Sequence, residues 1–245
     1  MTIILSPKKL AALLLIIVLG LTFADAASRY LMFVGGYDNQ FGMQRQLDLR
    51  SENNISTWYA STALLLAACL LAMIGFSKKR IGDRYTRHWI GLAVIFLFLS
   101  LDEAASLHEM TAAPLRNALH TTGYLYYAWV IPGSIAAMTI GLMYLGFLRG
   151  LPSQTRTLCL IAGTLYVGGA VGMEMLEGKQ ATFFGDQTVM YAIMVGVEES
   201  FEMLGVVVLV YALTSYMSVL HNEVRILIGD MPESKMRKTR DRIAA

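Results

Sequence analysis

Acidic side chains recur at three places in this chain where long apolar stretches surround them. One run reads Ser100-Leu101-Asp102-Glu103-Ala104-Ala105-Ser106-Leu107-His108-Glu109, a second ends Gly172-Met173-Glu174-Met175-Leu176-Glu177, and a third reads Val197-Glu198-Glu199-Ser200-Phe201-Glu202. An ionised side chain near a bilayer centre costs at least about 2.5–3.5 kcal/mol on insertion scales. Several such groups on separate helices are expected to face one another. Closely packed carboxylates repel, so some must hold protons or a cation must sit among them. Oxygen ligands suit hard divalent cations, and an imidazole adds affinity for Fe, Mn or Zn. The ligand set expected on this reading is Asp102, Glu103, His108, Glu198, Glu199 and Glu202. Glu109 and Glu174, nearer water, are the expected catalytic bases.

Helical phase supports a shared face. Asp102, Ser106 and Glu109 fall on one stripe, Glu174 and Glu177 are three apart, and Glu198 and Glu202 are four apart. Residues three or four apart are neighbours on a helix surface. Glu103 and His108 lie off the main stripe, so either they serve another helix or the helix frays near His108. Glu-x-x-Glu occurs at Glu174/Glu177 and Glu199/Glu202, whereas the Glu-x-x-His of soluble di-iron bundles is absent. Each feature has a plainer account. His108 alone reads first as a satisfied interfacial histidine, and Glu177 as a helix end in water. Asp102 with the three glutamates of the third run could be a hydrogen-bond network that pins helices. The aromatic run Tyr124, Tyr126, Tyr127 and Trp129 reads as an interfacial belt, and Gly168, Gly169 and Gly172 as sites of close helix packing.

The elements that must position these groups follow from composition. Of 245 residues, 56% are hydrophobic and 16% charged, against about 25% charged in a soluble domain. Mean hydropathy is +0.52. A soluble fold of this length has too little interior for so much apolar surface. The expected architecture is all-α: a polytopic membrane helix bundle of six transmembrane helices. The spans are expected near residues 10–27, 56–76, 89–108, 124–147, 158–175 and 189–216, since about 20 apolar residues cross a bilayer core. Residues 1–231 form one transmembrane domain, and residues 232–245 a basic cytoplasmic tail. With both termini in the cytoplasm, fifteen of the 20 Lys and Arg lie on the inner side, as the positive-inside rule requires. The alternative for the first span is a signal peptide cleaved near Ala24-Asp25-Ala26. Cys69 and Cys159 fall in apolar runs and read as buried, unpaired small hydrophobes. At 1.5 Å per residue, Asp102 lies about 12 Å and Glu198 and Glu199 about 13–15 Å below the outer surface, with Glu202 at about 20 Å. The acidic groups therefore form a funnel opening outward, and Asp25 could join its rim.

The stretches Leu99–Glu103, Leu107–Glu109 and Glu198–Gly205 resemble a group of uncharacterised bacterial multipass membrane proteins. The resemblance implies a multipass protein of the bacterial inner (plasma) membrane and no particular chemistry. Glu198-Glu199 also invites comparison with intramembrane glutamate proteases of the CAAX type. Those are expected to carry an Arg four residues after the second Glu, where this chain has Met203, and their later histidine motifs are absent. Four histidines, three outside the spans, argue against the three-histidine zinc sites of ceramidase-like hydrolases.

The functional expectation is a metal-dependent membrane enzyme acting at the outer leaflet on a lipid or other hydrophobic substrate. The alternatives are a proton- or cation-coupled transporter and a non-catalytic subunit or assembly factor of a membrane complex. The small net charge of +2 gives no sign of a nucleic-acid partner, and the bilayer itself is the expected surrounding.

Overall fold

The computed structural model describes residues 6–35, 43–51 and 53–220. All regular structure among them is helical. The helices are α1 (Pro7–Gly35), α2 (Met43–Leu47), α3 (Ile55–Arg80), α4 (Thr86–Ala105), α5 (Leu107–Leu119), α6 (Val130–Gly150), α7 (Ser153–Val167), α8 (Glu174–Phe184) and α9 (Val189–Leu220). A π-helical segment, Gly168–Met173, joins α7 to α8, so that 153–184 is one long helical unit. Six helical units are long and apolar enough to cross a membrane. The tail 232–245 and residues 221–231 lie outside the described residues.

Most spans run longer than hydropathy alone suggests, because helices continue past the apolar stretch until a capping or turn residue stops them. Asn54 does this for α3: its side chain accepts the Thr57 N–H, satisfying a donor that the first turn leaves free. The clearest departure is at α4. The expected span to His108 stops at Ala105, and Ser106 takes a left-handed conformation (φ 50°). A short, separate helix, α5, follows.

The core forms where α1, α3, α4, α7 and α9 meet. Ser61 and Ser100 exchange hydrogen bonds with one another's carbonyls, each 2.8 Å, and lock α3 to α4. Gly205 lets α9 approach α7 closely: a Cβ there would sit 2.9 Å from the Ala162 carbonyl and the Tyr166 nitrogen. Gly169 does the same for the π segment against α9, whereas a Cβ on Gly168 or Gly172 would meet nothing. Of the three glycines expected at close contacts, one is so used. Cys69, expected to be buried, is exposed on the apolar outside of the bundle, and Cys159 is half-buried.

The two ends of the bundle differ. One carries Lys78, Lys79, Arg80, Arg84 and Arg149 and is here the basic end. There α4 and α6 meet: Tyr85 donates to the Gly146 carbonyl, Tyr144 to the His88 carbonyl, and Trp89 packs edge-on against Phe147. Elsewhere along their length the two backbones seldom come close. The opposite, acidic end holds a cavity between them.

At the acidic end α1 is joined to the α2–α3 connection by a separate ion network. Arg29 binds both oxygens of Asp25 at 2.8–2.9 Å and reaches Asp48 at 2.6 Å. Asp25 also accepts the Leu49 N–H. Asp25 therefore serves as a buried structural anchor, and its place on the funnel rim is corrected: its oxygens are consumed by Arg29 and the α2–α3 connection.

Candidate functional site

A cavity of about 1220 Å³ opens between α4, α5, α6, α7, α8 and α9. Asp102, Glu103, His108, Glu109, Glu174, Glu198, Glu199 and Glu202, the full expected site, all line it. Four helices supply them, and the break at Ser106 makes the arrangement possible.

Asp102 stands at the last turn of α4. Its Oδ1 accepts the His108 backbone N–H at 2.9 Å, and its Oδ2 pairs with His108 Nδ1 at 2.8 Å. The first contact caps α5, which otherwise begins without a side-chain cap. The second holds the ring. One carboxylate thus offsets the strain of the left-handed Ser106 and orients the imidazole. The off-stripe phase of His108 is explained in the same way, since it belongs to a different helix from Asp102. Burial pulls the His108 imidazole down, but the Asp102 hydrogen bond and the charges of Asp102, Glu174 and Glu109 outweigh it and lift it to about 9. The ring lies against Trp129, 4.7 Å between centroids.

The expected bases separate by exposure: Glu109 is exposed on α5, and Glu174 is 9% exposed at the start of α8. The Trp129 indole N–H approaches Glu174, yet makes no hydrogen bond of good distance and angle. Glu177 is buried at 3% exposure, not a helix end in water. Its carboxyl approaches that of Glu198, while its Oε1 has no partner. A contact between two carboxyls is attractive only with a proton or cation between them. Deeper still, Glu202 packs its Cγ where a Gly169 side chain would go, and Glu103 is the acidic group that acts on it most strongly. The π segment lies directly against Glu198 and Glu202; such wide turns recur at functional sites.

The aromatic run divides. Tyr124 is exposed, whereas Tyr126, Tyr127 and Trp129 line the cavity. They are held there by a tight loop: the Gly123 N–H donates to Thr182 Oγ1 on α8, and the hydroxyls of Tyr127 and Tyr191 pair at 2.6 Å. Glu177, Trp129 and this tyrosine pair are the site residues that spacing alone did not single out. The Glu174/Glu177 interval of three was the one available signal.

Among the described residues, no group of three or more His, Cys, Asp or Glu side chains is gathered closely enough to hold a metal ion. The carboxyls are spread over the walls of one cavity on α4, α5, α8 and α9, and no three of them converge on a point.

A family model described as "Domain of unknown function (DUF8692)" matches residues 10–216. This chain belongs to that family. No curated protein and no solved structure matches it. The matched segment reaches into all six long helical units and contains every residue of the cavity's acidic lining.

Proposed function

We propose that the DUF8692 chain is an integral membrane enzyme whose site faces the outer leaflet and acts on a hydrophobic substrate arriving from the bilayer. The observation that carries this reading is the convergence of acidic side chains from four helices on one cavity, with an Asp102–His108 pair at its edge. The bundle sits in the bacterial inner membrane with its basic end and both termini in the cytoplasm. Supporting this, exposed side chains along the bundle include Leu13, Ile16, Leu97, Ile135 and Leu142, which suit lipid.

In this proposal Asp102 holds the Nδ1–H of His108, which leaves Nε2 as the working nitrogen. The charged ring donates a proton to the leaving group, and Glu174 or Glu109 takes a proton from an attacking water. The cavity walls exclude bulk water from the reacting atoms. A second reading has Glu103, Glu198, Glu199 and Glu202 draw together around a divalent cation (Fe, Mn or Zn), which would activate water or oxygen. Its support is that these carboxyls share the deep part of one cavity. Transport is less well supported, because toward the basic end the lining is Tyr144, Phe147, Leu148 and Leu213, with no carboxylate.

The test is a comparison of wild type and His108→Gln in nanodiscs, each incubated with a membrane lipid extract and followed by mass spectrometry. One lipid class should fall and a product rise with wild type alone. Identical lipid profiles would refute the enzyme reading. Repeating the incubation after chelation separates the two chemistries: activity that disappears and returns with added metal selects the cation.

A further inference from the structure

The cavity has two chemically distinct limbs. The acidic limb has already been described. The other continues toward the basic end, lined by Leu92, Phe96, Ala136, Ile140, Cys159 and Leu209. Along α9 the lining runs from Glu198 to Leu213, a rise of about 22 Å. That is long, and the whole cavity, at about 1220 Å³, exceeds the roughly 300–1,000 Å³ of ordinary small-molecule pockets. An aliphatic chain fits such a limb, and each CH₂ it buries is worth about 0.8 kcal/mol. A way in from lipid exists between α4 and α6. The two backbones seldom come close there; Phe98, 56% exposed, lines the cavity on α4, and α6 lines it with the small residues Gly133, Ala136, Ala137 and Gly141.

The acidic limb decides what the head of such a molecule must be. Among the described residues lining the cavity are nine carboxyl side chains against Arg50, Arg116 and His108. Both guanidiniums are engaged at the periphery: Arg50 lies beside Asp48 and Asp186, and Arg116 lies over the Tyr126 ring at 4.1 Å. A cationic head supplies the positive charge that lets such carboxyls stand close together, whereas an anionic head would be repelled. Glu177, 3% exposed, lines this limb and carries a buried Oε1 with no hydrogen-bond partner. Its surroundings are aromatic as well as acidic, with Tyr126, Tyr127, Trp129 and Tyr191 on the walls, and ring faces attract cations. A small metal ion needs its ligands within about 2.0–2.6 Å, whereas these carboxyls are spread over the walls. An ammonium group donates several hydrogen bonds in different directions and carries methylenes between them.

We propose that the substrate bound in this cavity is a single-chain amphiphile with a cationic amine head: the ammonium at Glu177, Glu198 and Glu174, the chain in the limb between α4 and α6. This deepens the enzyme reading and rests on it for the word substrate, but binding can be tested without turnover.

The experiment titrates the full-length protein in phosphatidylcholine nanodiscs with dodecylamine and with 1-dodecanol, empty nanodiscs being subtracted. The amine should bind saturably and at least tenfold more tightly than the alcohol at pH 7. Glu177→Gln/Glu198→Gln should reduce that preference below threefold, and Ala136→Trp, which fills the chain limb, should abolish saturable binding of both. A unchanged thermal midpoint in each variant guards against unfolding. Equal affinity for amine and alcohol, or no saturable binding of either, overturns the proposal. Turnover of a neutral lipid by a protein that ignores the amine would also overturn it, and would leave the enzyme reading standing.

Discussion

Replacing Asp102 by Asn separates the two tasks this residue performs. An amide oxygen still accepts the His108 backbone N–H, so the start of α5 is retained. The amide lacks the negative charge that faces His108 Nδ1 across 2.8 Å. In the native protein the imidazole is lifted from 6.5 to about 9. At about 1.4 kcal/mol per pH unit, the surroundings favour the charged ring by about 3 kcal/mol. Asp102 is the chief raising influence, through its hydrogen bond and its charge, and burial beside Trp129 works against it. Without the carboxylate, only the charges of Glu174 and Glu109 oppose burial, and the ring should titrate far closer to its ordinary value of 6.5. The sign for stability follows. The native ring binds its proton more tightly than the unfolded chain does, so its contribution is complete below pH 6.5 and is lost as pH rises through about 9. In Asp102→Asn that alkaline loss should shrink to match. The assay is an NMR titration of ¹³C-labelled histidines in detergent micelles or nanodiscs, with His108→Gln assigning the resonance, alongside thermal midpoints from pH 6 to 10. A His108 midpoint that moves by less than half a pH unit between wild type and Asp102→Asn would refute the assignment of Asp102 as the holder of the charge.

Other expectations concern the scaffold around the site. Gly169→Ala places a methyl 2.9 Å from both the Glu198 carbonyl and Glu202 Cγ. It should destabilise the protein by about 1–3 kcal/mol, while Gly172→Ala should be close to neutral; thermal unfolding checks both. Arg29→Met leaves the buried Asp25 without its cation and should cost about 3–5 kcal/mol, measured by unfolding, with lipid turnover per folded molecule preserved. For orientation, a cysteine at Asp186 should react with a membrane-impermeant maleimide from outside intact cells, and one at Arg84 only after permeabilisation; the reverse pattern would invert the proposed placement.

The positions of the six long helical units were legible in the sequence because hydropathy is a property of each stretch by itself. Residues 56–76 and 189–216 read as spans before any neighbour is known, and α3 and α9 contain them. The gathering of the acidic residues was legible for a related reason. Desolvating a carboxylate is costly on any helix, so Asp102, Glu174, Glu198 and Glu202 had to find company. Their rise along each helix fixed which end of the bundle they shared.

Which groups meet which was decided by tertiary structure alone. Partnership depends on how each helix is rotated and where it breaks, and neither is a property of one stretch. The helix stops at Ser106 because the Asp102 side chain reaches forward to the His108 N–H, a contact that no average preference of Ser encodes. Glu177 is buried because α9 brings Glu198 to it, although three residues of spacing had already placed it beside Glu174. Trp129 lies on His108 because the loop at Gly123 is tied to α8. Asp25, acidic and at the right depth, stays out of the cavity because Arg29, one turn later, takes both its oxygens. Composition says that a buried charge needs a partner; only the packing of the chain says which partner it gets.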